Sequence, residues 1–235
     1  MAVFTEESAR ANIRVKDGRR VFYLADGDHL TPSAKQWLKD NRVEILPASQ
    51  AAVKEYKTLD GGFWREKPEH MTHLRADVLV RKDHPRIRFR GMIDALEAEI
   101  LLAAREAQGE LKWQLNEILE VVRKLIRCDV LEEPVNVDTL CGLTMPQLRE
   151  RSHFPQKFYD QPHFMPSSED SPILLRLNKV RTIIRQTELV AYDAFHDRDG
   201  LVTRNDILQL LNRLSSMLWI MMIQQKKEAQ DGNQT

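Results

Sequence analysis

The side chains best suited to chemistry in this chain are arginines placed beside apolar residues at helical spacing. In RLNKVRTIIRQTELVAYDAF (176–195), a helix turning ~100° per residue brings Arg181, Arg185, Glu188 and Tyr192 within about 60° of one another. Val180, Ile184, Ala191 and Phe195 border that face. Arg181 and Arg185, four residues apart, repel each other unless something anionic lies between them. A guanidinium fork suits phosphate, which it grips with two parallel hydrogen bonds. Glu188 is the other partner open to Arg185, and in that arrangement the face is scaffold.

A second cationic stretch is THLRADVLVRKDHPRIRFR (72–90), which sets Arg75, Arg81, Lys82, Arg86, Arg88 and Arg90 against Asp77 and Asp83. It reads either as a solvated charged surface or as a dock for a polyanion such as a triphosphate. No GxxxxGK[ST] loop is present. The stretch NDILQLLNRLSSMLWIMMI (205–223) is apolar nearly all round except for Asn212, Arg213, Ser215 and Ser216, so it belongs inside a bundle or over an apolar ligand. On that reading Asn212 is buried and its amide needs partners. HDRDG (196–200) imitates a calcium loop, but Phe195 stands where the first oxygen ligand is required. His70 and His73 have no carboxylate cluster or cysteine beside them and make a poor metal site.

These residues need elements to hold them. Residues 21–24 and 43–46 are short β-prone runs flanking a helix over 32–41 that is capped by Thr31 and opened by Pro32. A loop over 47–68, with Gly61-Gly62 and Pro68, marks the end of this small α+β appendage, so the division falls as 1–70 and 71–235. Beyond it, helical periodicity runs over 87–108 and 111–131 with Gly109 between them, then over 144–150, 173–195 and 205–227. The expected class is mainly α, a bundle of about five helices. Residues 151–170 read as a long irregular connection carrying Phe154, Phe158, Tyr159 and Phe164, either a lid or a loop pinned by its aromatic rings.

Composition narrows the function classes. The 235 residues carry 35 basic and 35 acidic side chains, so no global charge draws nucleic acid or anionic lipid. Cys128 and Cys141 are too few for a disulfide framework and fit a reducing compartment. The charged N-terminus lacks a signal-peptide core, and the longest apolar run, 217–223, is far short of a membrane span of ~20 residues. The expectation is a cytoplasmic protein with no membrane partner.

Taken in order, RKDHPRIRFRGMIDAL (81–96), RTIIRQTE (181–188) and LNRLSS (211–216) resemble the three signature stretches of the propanediol-utilisation-type ATP:corrinoid adenosyltransferases. THLRADVLVRKDHPR, RCDVLEEP (127–134) and DILQLLNRLSSMLWIMMI resemble most the ethanolamine-utilisation branch, whose N-terminal extension is similar to residues 1–12 and the LTPSAKQWL helix. The resemblance implies a helical-bundle transferase, homo-oligomeric, a trimer or else a dimer, with active sites between subunits. It implies transfer of the 5′-deoxyadenosyl group of ATP to reduced cobalamin, with Mg²⁺ held through the nucleotide. By motif, Arg185, Glu188 and Asn212 are catalytic candidates. Lys82, Arg181, Arg185 and Asn212 fall on nucleotide contacts, with Asp94 supporting. Thr72, His73 and Arg75 stand where the family's glycine-rich loop is missing.

Phe154, Phe158 and Phe164 are candidates for the apolar wall that keeps water from the corrinoid face. The resemblance further implies a flavin or other reductase as partner, service to ethanolamine ammonia-lyase, and a place in the cytoplasm or inside a bacterial microcompartment. Some members of the branch carry a His and a CCxxC cluster for a divalent metal. Residues 55–69 here contain no cysteine, so no zinc or iron site is expected. The competing class is a non-catalytic adaptor or corrinoid chaperone with a structural arginine face.

Overall fold

The computed structural model describes residues 1–16, 18–50 and 55–232, which form two compact units: Met1–Glu55 with Trp64–Glu66, and Tyr56–Phe63 with Lys67 onward. In the first unit β1 (Val3–Phe4), α1 (Glu6–Ala11), β2 (Arg14–Lys16), β3 (Arg19–Leu24), β4 (His29–Leu30), α2 (Pro32–Asp40) and β5 (Glu44–Pro47) follow one another. β3 pairs antiparallel with β2 and parallel with β5, and β1 pairs parallel with β4. The expected strands and helix are therefore present: β3 starts two residues earlier, β5 is shifted by one residue and α2 ends one residue sooner. Thr31 caps α2 by accepting from the Ala34 amide, and Pro32 opens it. Ala9, Phe22, Leu30, Ala34, Leu38 and Val43 bury against one another, with Phe4 edge-on to Phe22 at 5.2 Å. The loop expected over 47–68 is instead partly built of strands, and its residues 51–54 lie outside the described ones.

The second unit opens on a sheet. β6 (Tyr56–Thr58) runs parallel to β9 (Val78–Arg81), which pairs antiparallel with β8 (Met71–Arg75); β7 (Phe63–Trp64) falls on the boundary between the two units in the chain. Residue 70, where the sequence put the division, thus lies within this unit. Four long helices follow: α3 (Pro85–Glu106), α4 (Gly109–Leu131), α7 (Pro172–Phe195) and α8 (Asn205–Gly232). Between them come a hairpin of β10 (Thr139–Leu140) and β11 (Leu143–Thr144) and two short helices, α5 (Met145–His153) and α6 (Pro155–Tyr159). The connection expected to be irregular from residue 151 therefore begins in helix, since Pro155 opens α6 at its first turn.

The bundle follows from apolar spacing. Phe89, Ile93, Leu96 and Ile100 of α3 repeat every three or four residues and are fully buried, as are Leu115, Ile118, Val122 and Leu125 of α4 and Leu177, Val180, Ile184 and Ala191 of α7. α3 packs on both α4 and α7, and α7 on α8. Each such Phe, Ile, Leu or Val side chain contributes on the order of 1.5–3 kcal/mol. The turn from α3 into α4 passes through Gly109 at φ +55°, the left-handed region that disfavours a Cβ.

One buried charge sits among these apolar layers. Asp129 of α4 is 0% exposed and receives Arg86 Nε at 2.7 Å and Arg90 Nε at 2.6 Å, both from α3. Arg86 also donates to the Asp129 carbonyl, and Arg90 to the carbonyls of His73 and Leu74 in β8. Two of the arginines read as a possible polyanion dock are thus spent inside the fold. Removing one partner of a buried ion pair typically costs ~3–5 kcal/mol. Asp129→Asn is expected to lose stability on that scale in a urea melt, and a loss below about 1 kcal/mol would show that the pair is dispensable.

Candidate functional site

α5, α7, α8 and the connection after α6 line three adjoining hollows of ≈ 590, 420 and 670 Å³. Asn212 borders all three, Arg181 and Arg185 the first and third, and Glu188 the first and second. The helical register of α7 thus presents its arginine face to one continuous groove. Asn212 lies at the surface instead of inside the bundle, because α8 turns its sparse polar residues toward this groove. Its Nδ2 donates to Glu188 Oε1 at 3.2 Å, and its Oδ1 accepts from Arg213 Nη2 at 2.7 Å.

The charge balance of the groove is uneven. Arg185 is exposed and, among the described residues, makes no ion pair with Glu188, whose carboxylate takes Asn212 instead. Arg181 is half-buried over the Trp219 ring at 5.3 Å, and its Nε is buried without an acceptor. Burial first, and the neighbouring Arg185 second, hold the Arg181 guanidinium below its ordinary value. Arg213 shows the same pattern: a buried Nε without an acceptor, depressed by burial and then by Arg149. Four arginines therefore face a groove in which Glu188 is the single lining carboxylate. Such a site favours a polyanion over any neutral ligand.

The other expected residues are distributed differently. Phe164 lines the groove and stacks on Trp219 at 5.1 Å, with His163 on the same ring at 5.8 Å. Phe158 lies beneath Arg151 and Lys157, while Phe154 is 59% exposed; neither borders the hollows. Thr72, His73, Arg75 and Lys82 belong to the β8–β9 region and do not line the hollows either. His73 Nδ1 donates to the Ala76 carbonyl at 2.9 Å, Arg75 pairs with Glu132, and Lys82 meets Glu69 at 3.1 Å. Asp94 is exposed on α3, also away from these hollows. Sequence reasoning passed over Arg149, Arg213 and Trp219. Arg213 adjoins Asn212 in the LNRLSS stretch and could have been found there; Arg149, on a nine-residue helix with Arg151 close by, carries no such signal.

Neither thiol offers a nucleophile. Burial pushes Cys141 up to about 12 and raises Cys128 as well. Among the described residues no three His, Cys, Asp or Glu side chains gather as a metal site needs. No helix among them is long and apolar enough to cross a membrane.

Residues 63–225 match the sequence profile of the cobalamin adenosyltransferase family. The chain belongs to that family. It is 32% identical over 243 residues to the corrinoid adenosyltransferases EutT of Salmonella typhimurium and Escherichia coli, with 93% of this chain and 90% of each relative covered. Two solved structures, variants of a PduO-type ATP:corrinoid adenosyltransferase from Lactobacillus reuteri complexed with cobalamin and ATP, superpose with TM-scores of 0.51 and 0.50. They are 16% and 15% identical and cover 75% of this chain and 88% and 91% of their own. At that identity the likeness concerns the fold, a helical bundle shared with the family. The groove arginines, the RTIIRQTE helix and LNRLSS all fall inside the matched span.

Trp219 carries three contacts at once, from Arg181, His163 and Phe164. Trp219→Leu is expected to cost about 1–3 kcal/mol through the lost stacking and cation–π attraction. Amides between 161 and 167 should then exchange faster with deuterium while those of α3 and α4 do not. Unchanged exchange in that connection would mean that Trp219 does not hold it.

Proposed function

We propose that the chain transfers the 5′-deoxyadenosyl group of ATP to reduced cobalamin, releasing inorganic triphosphate. The observation that carries the reading is the groove where Arg181 and Arg185 lie side by side without an acidic partner of their own, next to Glu188 and Asn212, in a chain of this family. In the step itself the reduced cobalt attacks C5′ with its electron pair, the cobalt–carbon bond forms, and the C5′–O bond breaks. The electron pair of that bond leaves on triphosphate. The protein's part is then positioning and charge: Arg185 and Arg181 hold phosphate oxygens, Glu188 holds the Asn212 amide beside them, and binding energy fixes C5′ in line with the metal.

Mg²⁺ accompanying the nucleotide suits this donor set. Glu188 supplies one carboxylate, leaving the remaining positions to phosphate oxygens and water, as that cation prefers. Bound there, it would neutralise part of the developing phosphate charge. Zinc and iron have no part in the proposal, for want of cysteines over 55–69. If chelation abolished turnover and Zn²⁺ or Fe²⁺ restored it where Mg²⁺ did not, that point would be wrong.

The finer assignments belong to the same proposal. Thr72, His73, Arg75 and Lys82 would meet the nucleotide from a neighbouring copy in a homo-oligomer with active sites between subunits, a trimer or a dimer. Phe164, with Phe154 and Phe158, would shield the corrinoid. Residues 1–70 would serve delivery or assembly in a cytoplasmic or microcompartment setting, supplying ethanolamine ammonia-lyase with its cofactor and drawing electrons from a flavin or other reductase. An adaptor of the same fold has no use for a groove of unpaired arginines, which supports the enzyme over that class.

An anaerobic mixture of the protein with MgATP and cob(II)alamin should develop the bands of four-coordinate cobalt and, on reduction, yield adenosylcobalamin. Arg185→Lys keeps the charge and loses the fork. It should weaken ATP use roughly ten- to a hundredfold, the range of a charge-assisted hydrogen bond of ~1.5–3 kcal/mol, with the melting temperature preserved. A large fall in melting temperature with unaltered ATP dependence would return this face to scaffold.

A further inference from the structure

The smallest of the three hollows, ≈ 420 Å³, is faced by Arg149 and His153, one turn apart on α5, and by Arg213 of α8. Glu188 is its single carboxylate, and it already accepts from Asn212. Arg213 gives Nη2 to Asn212 and keeps a buried Nε with no acceptor, while Arg149 is exposed without an ion pair among the described residues. We infer that Arg149 and Arg213 build a second phosphate-binding subsite, separated from the Arg181/Arg185 pair by the hydrogen-bonded Asn212 and Glu188. Two guanidinium forks converging on one hollow match the oxygen atoms of a phosphoryl group, and each supplies donors that the protein leaves unused. Burial first and the nearby Arg149 second hold the Arg213 guanidinium below its ordinary value, so an anion between the two arginines would relieve their repulsion.

Two sources supply that chemistry under the adenosyl-transfer reading on which the identity of the ligand rests. One is the terminal phosphate of the nucleotide's polyphosphate chain, and the other is the phosphodiester in the nucleotide loop of the corrinoid. The subsite's affinity for inorganic tripolyphosphate does not depend on that reading.

The test is isothermal titration of the full chain and its Arg149→Gln and Arg213→Gln variants with four probes: inorganic tripolyphosphate, ADP, cobalamin, and a corrinoid lacking the nucleotide loop. Arg149 lies on the surface, so that variant should fold, and relief of like-charge repulsion should leave its ligand-free melting temperature at or above that of the parent. Weakening of tripolyphosphate by roughly ten- to a hundredfold with ADP unchanged assigns the subsite to the chain end. Weakening of cobalamin with the loopless corrinoid unchanged assigns it to the phosphodiester. Affinities within about twofold of the parent for all four probes in both variants would overturn the inference, whatever the melting temperatures do. If the parent forms no adenosylcobalamin yet binds tripolyphosphate in an Arg149-dependent way, the enzyme reading fails and the subsite stands.

Discussion

The bundle is organised around one carboxylate that water does not reach. Asp129 sits near the end of α4, and Arg86 and Arg90 reach it from the first turns of α3. Arg90 also holds the carbonyls of His73 and Leu74, so a strand, the start of one helix and the end of another meet at a single point. A buried charge tolerates only a narrow geometry, since neither partner can turn to solvent instead. With α3 fixed on α4, its other apolar side is left to α7, and the register of α7 follows from burying Leu177, Val180, Ile184 and Ala191. That register carries Arg181 and Arg185 to the rim of the core.

The same residue type then meets two fates, and the supply of carboxylates separates them. The cationic run over 72–90 read either as solvated surface or as an anion dock, and Arg75, Arg81, Lys82, Arg86 and Arg90 find Glu132, Asp83, Glu69 and Asp129 within the chain. The groove on α5, α7 and α8 has four arginines for Glu188 alone. In a chain with equal numbers of acids and bases, acids spent on structure in one place leave bases unmatched in another. Local potential at a site depends on that distribution far more than on net charge.

Periodicity made most of this architecture legible. Strongly patterned stretches such as Ile93, Leu96 and Ile100 announce a buried helix face without reference to tertiary context, and Pro32 and Pro172 announce helix starts. The arginine face of α7 was legible by the same arithmetic. What stayed hidden depends on partners distant in sequence. Nothing near Arg86 or Arg90 points to Asp129, some forty residues on. Asn212 was misjudged because a helix that is apolar almost all round gives no hint which of its few polar residues meets solvent. Strands of two or three residues, such as β6 and β7, are too short to show alternation, so the loop expected over 47–68 concealed part of a sheet. Phe154, Phe158 and Phe164 lie close in sequence, but α6 turns between them and sends only Phe164 to the groove.

A groove that keeps guanidinium groups half-buried without acids is unfavourable until an anion arrives. Lysine would serve poorly there, because its compact ammonium is more strongly hydrated and loses its charge more readily on burial. Arginine stays charged, and a face such as that of Trp219 compensates one side of the plane while the edge remains free for oxygen atoms. The arginines ride on helices whose opposite sides are locked in the core, so the backbone that carries them need not be ordered when a ligand binds. Donors held in place before the ligand arrives need no reorganisation as charge develops on a leaving phosphate, which is the condition under which electrostatic stabilisation is most effective. The repulsion between Arg181 and Arg185 lowers the stability of the empty protein, and relief of that repulsion adds to the affinity for a polyanion.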